Sequence, residues 1–161
     1  MIRAFMIERI DKAVLLRAVC DQIAERQRTN EVAARAAAEA ATHEEAKPEN
    51  DKDTRALEAS YLAGAQASRA RELEMVLSAI RFLPLRTFGE NDRIAASALV
   101  ELSTKAIYFI VPHGGGMKVT LSGVTVTVIA PYAPLGLALL VQTQGDDFEF
   151  NGRTLSIRSV R

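Results

Sequence analysis

Leu83-Pro84-Leu85-Arg86-Thr87-Phe88-Gly89 divides the chain into two halves of different kind. Before it the only proline is Pro48 and the only glycine is Gly64, in a stretch rich in Ala, Glu and Arg. From Pro84 onward the remaining prolines and glycines are interspersed with Val, Thr, Ile and Phe. Helix formers without breakers predict helices, and frequent turn residues among β-branched ones predict short strands. The expectation is an α+β chain, with a helical domain over 1–83 and a sheet domain over 84–161. The linker itself, with Pro84 and Gly89, is the candidate hinge.

On the N-terminal side, the second helix is expected from about Asp53 to Phe82. Its apolar stripe is Ala59, Leu62, Gln66, Ala70, Leu73, Leu77 and Ile80. The first is expected from about Glu8 to about Glu45, with Leu16, Val19 and Ile23 followed by Val32, Ala33, Ala36, Ala37 and Ala40. Helical spacing puts each set on one face. Both stripes are rich at the end near the linker and thin toward the break between the helices. That agreement predicts an antiparallel two-helix coiled coil. At 1.5 Å per residue, helices of about thirty residues span about 45 Å, so the break sits at a distant tip.

The break reads Pro48-Glu-Asn-Asp-Lys-Asp-Thr-Arg55. Across the tip, about 44–54, Glu44, Glu45, Glu49, Asp51 and Asp53 outnumber Lys47 and Lys52. Asp51 or Asp53 is placed to cap the second helix, which is the plain structural reading of the acidic loop. One cap needs one carboxylate, and the others are left over. Carboxylates are hard oxygen ligands for Mg²⁺, which takes only one or two from protein. Such a tip suits completion of a metal site belonging to another macromolecule, where a second ion activates water for attack on a phosphodiester. Glu49, Asp51 and Asp53 are the first candidates for that role, then Glu44 and Glu45. No metal is expected to bind stably to the free protein.

On the C-terminal side, Ala98–Leu102 and Ile107–Val111 flank a Ser103-Thr104-Lys105 break. His113-Gly-Gly-Gly116 reads as a hairpin turn. Lys118–Leu121 and Val124–Ile129 flank Ser122-Gly123, and Ala133–Leu140 reads as one short apolar helix. Asp147–Phe150 and Thr154–Val160 flank Asn151-Gly152, the strongest hairpin signal present. The expected order is β-β-β-β-α-β-β with a mostly antiparallel sheet.

Hydrophobic residues make up 48% and charged residues 25% of the chain, and the net charge is zero. A balanced charge argues against general nucleic-acid binding, which needs a basic face. Cys20 is the single cysteine and reads as a small apolar seam residue in a reducing compartment. No signal peptide is read at the N-terminus, because Glu8, Arg9, Asp11 and Lys12 break its apolar start. The apolar runs Ala106–Pro112 and Val128–Val141 fall short of a membrane span. A soluble cytoplasmic monomer is expected. His43 and His113 lack a cysteine partner, so a zinc site is not expected. Nucleotide-loop glycine patterns are absent. His113-Gly114-Gly115-Gly116 imitates an esterase oxyanion loop, but no G-x-S-x-G elbow accompanies it. No nucleophile–base–acid set stands out, so no enzymatic activity of its own is expected.

The order of parts resembles the Gre family of bacterial transcription factors over essentially the whole chain. The resemblance is carried by Ile129-Ala-Pro-Tyr-Ala-Pro-Leu-Gly-Leu-Ala-Leu-Leu140, then Gly145-Asp146, then Asn151-Gly152-Arg153-Thr154-Leu155-Ser156-Ile157. The family shows a similar "S-P-[IL]-x-R-A-L-L-G-K … G-D … V" run. Val124-Thr-Val-Thr-Val128 resembles its preceding strand, and Arg69-Ala-Arg-Glu-Leu-Glu74 the base of its second helix. The resemblance implies an FKBP-like C-terminal domain that docks at the rim of the secondary channel of RNA polymerase. It also implies a coiled coil whose tip enters that channel and positions a Mg²⁺ ion shared with the polymerase, so that backtracked RNA is cut. Pro131, Tyr132, Pro134, Leu135 and Leu137 are then the docking candidates. The chain departs from the family at the tip, where Lys52 stands at the position of a glutamate, with Asp51 and Asp53 on either side. In the docking run, Leu137, Val141 and Gln142 replace the usual Arg, Gly and Lys. Inhibitory family members hold the other outcome of the same placement. A different class of reading is a protein-interaction module with an FKBP-like platform and a coiled-coil arm. Peptidyl-prolyl isomerase activity is disfavoured, because the sparse aromatics do not suggest a ring-lined pocket.

Overall fold

The computed structural model describes residues 6–44 and 52–161, with the backbone alone at 40–44, 52–57, 59 and 60. After a 3-10 turn at Met6–Arg9 come two long helices, α1 (Lys12–Glu44) and α2 (Lys52–Arg81). Then follow β1 (Leu99–Leu102), β2 (Ile107–Ile110), β3 (Lys118–Leu121), β4 (Val124–Ile129), α3 (Pro134–Leu140), β5 (Asp147–Phe150) and β6 (Arg153–Val160). The class is α+β, and the strand and helix order is that read from the sequence. The chain separates into two compact units, one of residues up to Asp21 with Ala79–Arg161, the other Gln22–Ser78.

In the sheet unit the strands lie in the order β3-β4-β2-β1-β6-β5. β1 pairs antiparallel with β2 and β6, β3 with β4, and β5 with β6, whereas β2 and β4 run parallel. The sheet is therefore mixed. At the β5–β6 turn Asn151 and Gly152 take φ of 51° and 72°, the paired left-handed geometry of a type I′ hairpin. His113–Gly116 behaves otherwise than expected. It is not a hairpin turn, because β2 and β3 are not neighbours. Hydrogen bonds from Gly116 N to Val128 O (2.8 Å) and from Val128 N to Met117 O (2.8 Å) carry the chain across to the far side of β4. The parallel β2–β4 pair requires this crossing.

All four residues of β1 are buried. Val100 and Leu102 join the core with Phe88, Ile110, Phe148, Ile157 and Leu139 of α3. Glu101, next along the strand and so on the other face, accepts a hydrogen bond from Ile7 N (3.3 Å) through Oε2. One face of β1 thus lies in the core that α3 also enters and the other meets the N-terminal turn, so the strand is buried on both faces.

The first helix was expected from about Glu8, but α1 begins at Lys12. Asp11 accounts for the difference, since its Oδ1 accepts from Ala13 N (2.8 Å) and Val14 N (3.1 Å) as an N-cap. Ile7, Ile10, Leu15, Val19 and Ile80 are fully buried, and Cys20 is buried beside them in the sequence pattern. Residues 83–89 are tied into the sheet unit. Leu83 N donates to Ile80 O (3.0 Å), Arg86 N to Ser97 Oγ (3.0 Å) and Gly89 N to Asp92 Oδ2 (2.8 Å), while Phe88 enters the core.

The helical unit holds most of α1 (33 residues) and α2 (30 residues). Ile23 and Gln27 of α1 line one groove with Leu73 and Val76 of α2. Arg28, Val32 and Arg35 line another with Gln66, Arg69 and Ala70. The stripes are buried or half-buried at Ile23, Leu73 and Leu77, as is Val76 outside them, but Ala33, Ala36, Ala37, Gln66 and Ala70 are exposed. Val32 and Leu62 remain 65% and 52% exposed. Ala40 and Ala59 fall among the residues described by backbone alone.

Candidate docking surface

Residues 130–145, Ala130 to Gly145, contain no charged side chain. The stretch leaves β4, makes a tight turn and forms α3. Ala133 is the N-cap in extended conformation without a side-chain cap bond, and Pro134 opens the helix with a φ already suited to it. Ala133 N donates to Ala130 O (3.1 Å) and Leu137 N to Ala133 O (2.8 Å), closing the turn onto the first helical residues.

Gly136 fixes the seating of α3. A Cβ there would collide with the carbonyl oxygen of Ala130 and lie 3.0 Å from that of Pro131. Only glycine lets the helix press so closely on the preceding backbone. Leu139 is fully buried, and Leu135 and Ala138 pack on the core from partly buried positions. The opposite side of the helix is apolar too. Pro134, Leu137 and Val141 follow at spacings of three and four, which puts them on one stripe. Leu137 is 57% and Val141 62% exposed. Tyr132, 68% exposed, flanks them in sequence, and its hydroxyl donates to Pro112 O (3.2 Å).

Large apolar side chains at such exposure on a short, firmly seated helix are suited to burial against another surface. Of the docking residues expected from sequence, Tyr132, Pro134 and Leu137 are exposed, whereas Pro131 and Leu135 are half-buried and Leu135 packs inward. Val141 belongs with the exposed group and was missed as a candidate. Its position four residues after Leu137 was the signal available.

Of the acidic candidates, Glu45, Glu49 and Asp51 lie outside the described residues. Glu44 closes α1 and Asp53 is the second residue of α2, both described by backbone alone. Among the described residues no group of three or more His, Cys, Asp or Glu stands together as a metal site. Among them, too, no helix is long and apolar enough to cross a membrane. Comparison with protein-family models, curated proteins and solved structures gives no match.

Proposed function

We propose that this chain is a Gre-like factor that binds RNA polymerase and carries an acidic helical tip into its secondary channel. The observation that carries the reading is the exposed stripe of Pro134, Leu137 and Val141 along α3 and its C-cap, with exposed Tyr132 just before the helix. It falls in the same run that resembles the family's docking segment. In this reading the sheet unit is FKBP-like and docks at the channel rim through α3. α1 and α2 form an antiparallel coiled coil. The grooves support that direction, since earlier residues of α1 line them with later residues of α2. Glu49, Asp51 and Asp53 are the working carboxylates, and the Mg²⁺ they help hold belongs to the polymerase site. Protein and polymerase together, not this chain alone, supply the chemistry. The site of action is cytoplasmic.

Two assays test the reading. A pull-down with core polymerase at low salt is expected to retain the chain, and its failure to do so removes the proposal. On stalled, backtracked complexes, added protein is expected to speed RNA cleavage, and Asp51→Asn with Asp53→Asn is expected to abolish that effect while leaving binding intact. Slower elongation without cleavage assigns the inhibitory form of the same placement.

A second reading rests on the exposure of Val32, Leu62 and Tyr61 along the helices. Apolar residues left open on a helical pair suit an arm that joins another protein. The chain would then be an interaction module without a polymerase role. Sedimentation separates the two, because a joining arm of like copies gives a concentration-dependent mass that Leu62→Glu removes.

A further inference from the structure

Lys12, Arg86 and Arg161 bring three cationic side chains together in the sheet unit. Lys12 Nζ stands 5.1 Å and the Arg86 guanidinium carbon 5.0 Å from the centre of the Phe88 ring. The Lys12 ammonium donates to the carbonyl oxygens of Arg86 (2.6 Å) and Arg161 (3.0 Å). Arg161 Nη1 donates to the carbonyl oxygens of Ile7 (3.3 Å), Glu8 (3.1 Å) and Ile10 (3.2 Å). Main-chain oxygens therefore hold two of the cations in place.

Among the described residues, no side-chain carboxylate is seen as an ion-pair partner of any of the three; Arg28 and Glu25 pair in the helical unit. Asp11 and Asp92, close in sequence, are engaged with main-chain N–H groups of α1 and of Gly89. Burial chiefly, and then the neighbouring Arg161 and Arg86, lowers the Lys12 pKa to about 8. Three cationic groups around one buried ring, with hydrogen-bonding capacity left over on Lys12 and Arg86, suit a site for an anion. Arg86 strengthens the case. Its hydrogen bonds run through its main-chain N and O, and its guanidinium lies exposed over the ring.

We propose that Lys12, Arg86 and Arg161 bind a small phosphate dianion, a phosphate monoester or a diphosphate. Guanidinium forks match phosphate oxygens in pairs, and the Lys12 ammonium has a third proton to give. A nucleic-acid backbone calls for a stripe of basic residues, one per phosphate. Here the charge is gathered at one place in a chain of zero net charge. Phe88 is buried beneath the cations and offers no face for a base, so the phosphate itself is recognised. The inference is independent of the polymerase reading.

The test is a titration of the full chain with inorganic pyrophosphate at pH 7.5, read by calorimetry and by the NMR signals of the Lys12 side chain. The expected result is saturable binding with the Lys12 pKa raised from about 8. Arg86→Gln is expected to bind about tenfold more weakly at an unchanged urea midpoint. Arg153→Gln, at the start of β6, should bind like the parent chain. An α-carboxylate at residue 161 would compete for the Lys12 ammonium, so the titration is repeated with a short Gly-Ser tail added. Binding by both forms supports the site. Binding by the tailed form alone, no saturable binding by either, or equal affinity in Arg86→Gln overturns it. So does a single-stranded RNA that displaces pyrophosphate at matched phosphate concentration.

Discussion

Two glycines in helices face opposite demands. Gly136 is pressed on the Ala130 carbonyl, whereas a Cβ at Gly64 in α2 would meet nothing within 4 Å. Gly136→Ala therefore forces α3 off its seat and is expected to destabilise the sheet unit by about 3 kcal/mol, read from the urea midpoint. Gly64→Ala is expected to raise the helical melting temperature, gaining about 1 kcal/mol from helix propensity alone. Lys12 yields a prediction about pH. Its pKa is lowered from 10.5 to about 8, chiefly by burial, then by Arg161 and Arg86. Between those values the unfolded chain binds a proton that the folded chain has released. Raising pH through that window therefore favours the folded state, while at lower pH the cost of the buried ammonium is fully present. The urea midpoint of the parent chain should rise from pH 8 to pH 10 relative to Lys12→Met, and parallel curves for the two would refute the assignment.

At the level of elements, what the sequence made legible was set by local chemistry. β3, β4 and β5 begin and end where their turn residues indicated, because Ser122-Gly123 and Asn151-Gly152 fix tight hairpins in few residues. The pairing of β2 with β1 was legible, but its parallel pairing with β4 was not. His113–Gly116 carries turn residues whether the chain folds back or crosses over, and only hydrogen bonds to β4, residues apart in sequence, select the crossing. The start of α1 was likewise masked by Glu8 and Arg9, which suit a helix, until the Asp11 cap set the boundary. In the docking run the inward and outward faces of α3 are both apolar, so hydropathy alone could not sort Leu135 from Leu137. Seating by Gly136 and Leu139 sorts them. At this scale Leu137→Asp is expected to leave folding intact, since the side chain is 57% exposed. It should weaken binding to core polymerase by about 2 kcal/mol, roughly thirtyfold in Kd, in a fluorescence titration.

The whole molecule comprises a sheet unit with an exposed apolar stripe on α3 and a unit of two long helices, between which the sequence carries an acidic stretch. The zero net charge is consistent with a factor that recognises a protein surface and does not track nucleic acid. The central claim is that α3 meets the polymerase rim while the tip approaches the catalytic centre. Photocrosslinking from two single positions, 137 and 53, in a stalled elongation complex tests it most directly. The account predicts a crosslink from position 137 to the rim of the secondary channel. From position 53 it predicts a crosslink to the channel interior or the 3′ end of the transcript. Crosslinks from neither position, or from position 53 to the outer surface of the polymerase, would contradict it.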